Sequence, residues 1–201
     1  MRTGPLDQGD WNYQRGLGWI VRRRFVLAER LIPEWSSRLL ELGYGGGVFM
    51  PLLTRRATEL HGVDVHDKAD QVGAQLERHG VRADLVQGSI SALPYRDESF
   101  DCVVGVSCLE FVDSIEETCE ELVRVLAPGG TIVVVTPGCS PILDLGLRLM
   151  TGEWAEDTFQ GRRQVVLPAL RRRFATRLER RFPPVPSLWF YTAFAAQRAR
   201  R

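Results

Sequence analysis

Residues 41–47 read Glu-Leu-Gly-Tyr-Gly-Gly-Gly, a turn with four glycines in seven positions. An apolar run, Arg38 to Leu42, precedes it and is typical of a β-strand. Val48 to Thr58 follows it, and its apolar spacing predicts a helix with Pro51 tolerated in the first turn. Glycines between a strand and a helix let a ligand approach the backbone N–H groups that open the helix.

Strand-like and helix-like segments alternate downstream of this turn. We predict strands at 59–65, 83–87, 100–106 and 131–135, and helices at 67–79 and 115–126. Ser114 and Glu117 form a capping box, and Pro128-Gly129-Gly130 is expected to stop the second helix. The strand at 100–106 is almost entirely apolar, as expected when helices cover both faces. The alternation predicts a doubly wound α/β fold with a parallel sheet.

Two flanks differ from this central pattern. Residues 1–37 are expected to form an N-terminal helical cap, and residues 138–174 a second cap whose helices are interrupted by glycines and Pro168. We predict a buried strand at residues 187–197. It should pair with a strand near Ala175 to Phe182, and both belong to the C-terminal strands at 175–201. We therefore treat 1–201 as one domain with its ligand-binding core at 38–137.

Composition excludes several classes of protein. The chain has 201 residues, 44% hydrophobic and 25% charged, which is typical of a soluble globular domain. The net charge of +1 argues against a general nucleic-acid binder. No apolar run reaches the roughly 18 residues of a membrane span. Met1 to Asp10 lacks the apolar centre of a secretory signal, so we expect cytoplasmic residence.

Cysteine and histidine spacing gives no support for a metal site. No CxxC spacing occurs among the four cysteines, which are Cys102, Cys108, Cys119 and Cys139. We expect buried, reduced thiols. No metal-binding pattern links the three histidines, which are His61, His66 and His79.

Two carboxylates flank the glycine-rich turn. Asp64 ends the second strand, 21 residues after Gly43, where its carboxylate can accept hydrogen bonds from both ribose hydroxyls. Glu41 stands directly before the glycines, where it would repel a pyrophosphate but suits the ammonium group of an amino acid. The pattern therefore favours a nucleoside that carries an amino-acid moiety over a dinucleotide.

Further motifs follow in order along the chain: Gly62-Val63-Asp64, Gly88-Ser89-Ile90-x-x-Leu93-Pro94-Tyr95, Ser99-Phe100-Asp101, Leu109-Glu110-Phe111-Val112 and Leu126-x-Pro128-Gly129-Gly130. Together with Glu41-x-Gly43-x-Gly45-x-Gly47, they resemble the class I S-adenosylmethionine (SAM)-dependent methyltransferases, type 11 group, which includes ubiquinone- and menaquinone-biosynthesis enzymes. The resemblance covers about residues 38–137. It implies a Rossmann-like seven-stranded sheet in the order 3-2-1-4-5-7-6 with strand 7 antiparallel, SAM as cofactor and S-adenosylhomocysteine (SAH) as product.

The resemblance also implies roles for single residues. It places Glu41 near the SAM ammonium, Asp64 on the ribose and Val106 near the methionine part. The resemblance also implies that the glycine-rich turn lies under the methionine part and that residues after β-strands two and three contact the adenine. The residues concerned are Gly43, Tyr44, Gly45, Gly47, Val65, Ser89 and Ile90. Ser89 departs from the family, because relatives usually carry Asp there. His66 either leans on the adenine or faces solvent.

The methyl acceptor is less defined by the sequence. No catalytic base is identified; Tyr13, Glu110 and Tyr191 are candidates, each with a structural role as the alternative. The caps carry aromatic and apolar residues that either line an acceptor pocket or pack the caps onto the domain: Trp11, Tyr13, Trp19, Met150, Trp154 and Phe159.

An arginine-rich stretch runs from Arg162 to Arg181, with eight arginines against Glu179 as its one acid. It forms either a solvated face or the border of an acceptor pocket that attracts an anion, for which Arg162 and Arg163 are the candidates. The leading interpretation is a methyltransferase acting on a small anionic or aromatic molecule. The alternatives are a SAM-binding module without catalysis, serving as a partner or scaffold, and a nicotinamide-dependent oxidoreductase, which Glu41 disfavours.

Overall fold

The computed structural model describes residues 18–138, 161–185 and 189–199. In these ranges the helices are α1 (Gly18–Glu29), α2 (Met50–Leu53), α3 (Ala69–Arg78), α4 (Ile115–Val125) and α5 (Arg162–Arg173), with a 3-10 helix at Leu109–Phe111. The strands are β1 (Ser36–Leu42), β2 (Ala57–Asp64), β3 (Asp84–Gln87), β4 (Phe100–Val106), β5 (Leu126–Pro137), β6 (Ala175–Phe182) and β7 (Tyr191–Gln197).

The strands form one seven-stranded sheet in the order β3-β2-β1-β4-β5-β7-β6. β1 pairs in parallel with β2 and β4, and the parallel ladder continues to β3 and β5. β7 is antiparallel to both of its neighbours, β5 and β6. The predicted Rossmann-like strand order, including the antiparallel seventh strand, is confirmed.

Helices cover both faces of the sheet. On one face, α1, α2 and α3 pack with Leu39 of β1 and with Cys102 and Val104 of β4. On the other face, α4 and α5 pack with Leu40 of β1 and Val103 of β4. Because neighbouring residues of a strand point to opposite faces, Leu39 and Leu40 of β1 are both buried. Six of the seven positions of β4 are buried, which explains its almost continuous apolar sequence.

One predicted helix end is wrong. The helix predicted from Val48 to Thr58 is the short α2, because the Ser36 N–H donates to the Arg56 carbonyl at 2.9 Å and the residues that follow pair with β1. The helix predicted at 115–126 is α4, which ends at Val125, and Leu126 already pairs with Phe100. Pro128-Gly129-Gly130 therefore lies in an irregular first part of β5, where Gly129 has a φ of +79°.

The C-terminal elements close the sheet on one side. The predicted pairing of β7 with a strand at 175–182 is confirmed, with β7 starting at Tyr191. Pro168, expected to interrupt a helix, lies inside α5 on its exposed side, where water can satisfy the carbonyl that the missing N–H leaves free. β6 is the edge strand, and most of its side chains are exposed.

The described cysteines are free thiols: Cys102 and Cys119 are buried and Cys108 is half-buried, while Cys139 lies outside the described residues. None of the helices in the described ranges combines the length and apolar character needed to cross a membrane. Among the same residues, no group of three or more His, Cys, Asp or Glu side chains is placed to hold a metal ion.

Candidate functional site

The glycine-rich turn lies at the carboxyl ends of the parallel strands, where ligands bind in folds of this kind. Gly43, Gly45 and Gly47 all have positive φ, of +64°, +50° and +72°. A Cβ added at Gly43 would lie 2.8 Å from the Cβ of Cys108, which follows β4. The turn therefore needs glycine at position 43 both for its backbone conformation and for its close approach to the segment after β4.

Asp64 and His66 fix the conformation of this turn. The Gly45 N–H donates to Asp64 Oδ2 at 2.8 Å, and His66 Nε2 lies 3.1 Å from the Gly45 carbonyl oxygen. His66 Nδ1 accepts from the Lys68 N–H at 3.1 Å, so Nε2 carries the proton and donates to Gly45. The His66 ring also meets Tyr44 edge-on at 4.9 Å. The solvent-facing alternative for His66 is wrong, since its side chain is 8% exposed.

Glu41 is a buried acid at the end of β1. It is 4% exposed, and its Oε2 has no hydrogen-bond partner among the residues that the structure describes. Burial, together with the nearby Asp64 charge, raises the pKa of the Glu41 carboxyl well above its usual range, while Arg24 of α1 acts against that rise. An unpaired buried carboxylate is unfavourable in the absence of a ligand and becomes favourable when a cation binds beside it.

Glu110 is a second buried acid at the same edge of the sheet. It lies in the 3-10 helix after β4, is 1% exposed, and no other residue that the structure describes gives either carboxylate oxygen a hydrogen bond. Burial raises the pKa of Glu110 to about 7, and the residue's own backbone N–H, Arg24 and Arg163 limit the rise. Burial also raises the pKa of the Cys108 thiol, and the charges of Glu110, Asp64 and Glu41 add to it. The charges of these three carboxyl groups therefore all act on the Cys108 thiol.

The far side of the site follows β2 and β3. Val65 is 69% exposed after β2, and its carbonyl accepts from Gln87 Nε2 at 3.0 Å. Ile90 is buried. The Ser89 hydroxyl accepts from the Ser91 N–H at 3.2 Å, so it serves the turn in which it lies.

Arg124 of α4 holds the segment that follows. It donates to the carbonyls of Leu93 and Tyr95 at 2.9 and 2.7 Å and also binds the side chains of Glu121 and Asp97. Glu121 in turn accepts from the Leu93 N–H at 2.7 Å. This network fixes residues 93–97 against α4.

The arginine-rich stretch divides into two parts. Arg162 lies 3.7 Å from Asp113, and Arg163 donates to the Gly138 carbonyl at 2.8 Å, so both lie at the edge that carries Glu110. Farther along, Arg171 binds Glu179, Arg172 binds Glu116 and Arg173 binds Glu120, all on the surface. Arg181 stacks over the Trp189 ring at 4.5 Å.

Residues 40–134 match the family model described as a methyltransferase domain. These residues form a methyltransferase domain of the class I SAM-dependent type 11 group. Over 146 residues the chain is 33% identical to malonyl-[acyl-carrier protein] O-methyltransferase of Halorhodospira halophila, a match that covers 68% of this chain and 46% of that protein. It is 32% identical over 108 residues to ubiquinone biosynthesis O-methyltransferase of Sinorhizobium medicae, covering 52% and 42%.

The chain spans half or less of the length of the first curated relatives it matches. Its fold is similar to that of N-methyltransferase NodS from Bradyrhizobium japonicum WM9 in complex with SAH, with a TM-score of 0.72, 18% identity and coverage of 96% of this chain and 93% of that one. SAM is the cofactor of this methyltransferase domain.

The residues of the site fit SAM. Glu41 offers an unpaired buried carboxylate oxygen, and Gly43 offers a backbone surface without a side chain. Asp64 uses each carboxylate oxygen once, for the N–H groups of Gly45 and His66 at 2.8 and 3.4 Å. A carboxylate has about four acceptor sites, so two remain for ribose hydroxyls.

The structure brings the expected cofactor residues to one edge of the sheet, and they lie on the turn or at the ends of β1, β2, β3 and β4. Glu110, Arg162 and Arg163 share that edge, and Tyr191 starts β7 there. Trp19 is 53% exposed and contacts Phe182 edge-on at 6.4 Å, so in the described residues it packs on the end of β6. Five other expected pocket residues lie outside the described residues: Trp11, Tyr13, Met150, Trp154 and Phe159.

Sequence reasoning missed two features of this site. The bond from His66 to the Gly45 carbonyl depends on the folded shape of the turn, although the spacing Asp64-x-His66 already placed both residues at the end of β2. The Arg124 network joins residues about 30 positions apart, and no local sequence pattern predicts these hydrogen bonds.

Proposed function

We propose that this domain transfers a methyl group from SAM to a small-molecule acceptor. The observation that carries the proposal is the pairing of a buried, unpartnered Glu41 with the glycine turn that it precedes. An acid before the glycines suits the ammonium of a methionine moiety and opposes a pyrophosphate.

Each part of SAM has a matching residue in this proposal. Glu41 receives the ammonium, directly or through water, and the backbone at Gly43 and Gly45 lies beneath the methionine chain. Asp64 accepts hydrogen bonds from the ribose hydroxyls, with His66 holding the turn in place. The remaining residues contact the adenine or the methionine part: Tyr44, Gly47, Val65, Ser89, Ile90 and Val106.

SAM supplies a methyl group on a positively charged sulfur, which makes that carbon electrophilic. The chain's own part is to align the acceptor nucleophile behind this methyl group and to exclude water, so that displacement proceeds in line. In this proposal Glu110, which is buried at the same edge, is the candidate carboxyl group that accepts a proton from the acceptor. Arg162 and Arg163 border this edge and suit an anionic acceptor.

Binding of purified protein to SAM, SAH and NAD, measured by calorimetry, tests the cofactor. We expect SAM and SAH to bind and NAD to bind much more weakly. Asp64→Ala should weaken SAM binding by about 1.5–3 kcal/mol, the scale of hydrogen bonds to a charged group. Asp67→Ala, which removes an exposed carboxylate three residues away, is the matched control and should leave affinity unchanged.

Asp64→Asn separates the two tasks of this side chain, because Asn keeps an acceptor for the Gly45 N–H. Tighter binding of NAD than of SAM would overturn the assignment. Unchanged SAM affinity in a folded Asp64→Ala variant would show that the ribose is held elsewhere. Release of SAH from methyl-labelled SAM in the presence of candidate acceptors then tests the transfer itself, and SAM binding without any transfer would favour a module that lacks catalysis.

A further inference from the structure

We propose that Glu110 recognises the positive sulfur of SAM and so makes the site prefer SAM over its uncharged product SAH. The inference rests on the proposed function, and it adds a specificity-determining residue to the same site. It starts from a side chain that the fold buries at the cofactor edge and that receives no hydrogen bond from any other residue in the described ranges.

The position of Glu110 places it close to the methionine part of the site. Cys108, two residues earlier, touches the glycine turn, since a Cβ at Gly43 would lie 2.8 Å from the Cys108 Cβ. The charge of Glu110 acts on the same Cys108 thiol as the charges of Glu41 and Asp64, which flank the turn. Glu110 thus belongs to the group of acids around the methionine part and not to the exposed surface.

A buried carboxylate is unfavourable unless its charge is compensated. The backbone N–H of Glu110, Arg24 and Arg163 compensate it only in part, because the pKa of Glu110 is still raised to about 7. Leu109 and Glu110 are both buried in the 3-10 helix, and α5 packs against that helix, so the fold does not release the side chain to solvent. A cation that is present in the substrate and absent from the product provides such compensation. SAM and SAH differ in this way, because the sulfur of SAM carries a positive charge and the sulfur of SAH carries none.

Charged and titratable groups face Glu110 from every element packed against it. Arg24 of α1 and Arg163 of α5 lower its pKa. Burial raises the pKa values of Tyr191 at the start of β7 and of Cys108, so both stay neutral in the neutral range. Burial raises the pKa of Glu41 as well. In the proposed function Glu41 faces the ammonium, which SAM and SAH share. The ratio of the SAM affinity to the SAH affinity therefore reports on the residue that responds to the charge on sulfur, which we propose is Glu110.

The sign of the pH effect follows from these charges. The pKa of Glu110 is about 7, so the group is largely protonated at pH 5.5 and largely ionised at pH 7.5 in the absence of a charged sulfur. The sulfur of SAM favours the ionised form and lowers this pKa, whereas SAH leaves it in place. The preference for SAM over SAH should therefore rise with pH, by about tenfold for each unit by which SAM lowers the pKa.

Calorimetry with SAM and SAH between pH 5.5 and 7.5 tests this inference without any knowledge of the acceptor. The cofactor's α-amino group, whose usual pKa is about 7.7–8.0, stays mostly protonated across this range. In the wild type, we expect the affinity ratio of SAM to SAH to rise about tenfold across it. Glu110→Gln should flatten the ratio, and Glu117→Gln, an exposed acid on α4, should retain the rise. Glu41→Gln should weaken both ligands and keep the rise.

If the Glu110→Gln variant fails to fold, proton release on ligand binding to the wild type still tests the inference. In two buffers of different ionisation enthalpy at about pH 6.5, SAM should release more protons on binding than SAH. Equal release, a flat ratio in the wild type or a rise that survives in folded Glu110→Gln would each overturn the inference. If neither ligand binds, the proposed function itself fails, which is a different outcome from two ligands that bind with a flat ratio.

Discussion

Replacement of Gly43 by alanine should destabilise the protein more than its small size suggests. Gly43 has a φ of +64°, a conformation that costs an L-residue about 1–2 kcal/mol. The new Cβ would also lie 2.8 Å from the Cβ of Cys108, so the segment after β4 must move, which adds about 1–3 kcal/mol. The lower chain entropy of the unfolded state returns about 0.4–1 kcal/mol. We therefore expect a net loss of about 2–4 kcal/mol in the free energy of unfolding.

Alanine substitutions at two other glycines separate the cost of backbone strain from the cost of the steric contact with Cys108. Gly80 has a φ of +73° with no atom within 4 Å of its ideal Cβ, so Gly80→Ala should lose about 1 kcal/mol from backbone strain alone. Gly73 lies in α3 with the same open space and no positive φ, so Gly73→Ala should gain about 0.5–1 kcal/mol.

Urea denaturation of the three variants measures these differences from the transition midpoints at a common slope. Calorimetry with SAM should show weaker binding for Gly43→Ala alone, because Gly43 belongs to the turn that we propose lies beneath the methionine part of SAM. Equal losses for Gly43→Ala and Gly80→Ala would refute the reasoning, because the contact with Cys108 would then contribute nothing. Unchanged SAM affinity in Gly43→Ala would show that the turn does not underlie the cofactor.

Two further predictions concern arginines. Arg124→Met should lower the free energy of unfolding by about 2–3 kcal/mol, because it leaves two backbone carbonyls without their donor, whereas Arg172→Met on the surface should change it by less than about 1 kcal/mol in the same urea assay. An equal effect of both variants would contradict the network. Arg162→Gln with Arg163→Gln should raise the KM for an anionic acceptor at low ionic strength and leave the SAM affinity unchanged, while the pair Arg172→Gln and Arg173→Gln should do neither. Unaltered acceptor kinetics in the first pair would place those arginines outside the acceptor site.

Elements defined by their own residues could be predicted from the sequence. β4 was predicted at its observed bounds, because its apolar run reflects burial on both faces. The helix after the glycine turn was wrong at its end, because pairing of β2 with β1 outweighs the helical spacing that continues beyond Leu53. Local patterns carry no information about which backbone groups a distant strand will engage.

The site divides in the same way. The positions of Glu41 and Asp64 follow from strand ends and glycines, which are local signals. The burial of Glu110 depends on α5 packing against the 3-10 helix, and α5 begins about fifty residues later in the chain. The network of Arg124 likewise joins α4 to a segment that precedes β4. Contacts of this kind depend on the folded structure, and the local sequence pattern around either residue does not predict them.

The two edges of the sheet affect how copies of this protein meet one another. An edge strand offers unpaired backbone groups to which a second chain can add a strand. β3 is four residues long, too short for an extended ladder, and β6 exposes Arg177, Arg180 and Arg181 along its length. A second β6 laid alongside would bring these like charges together with little room for water. The charged edge therefore favours a protein that stays dispersed at high concentration, and neutral replacements of these arginines would remove that protection against aggregation.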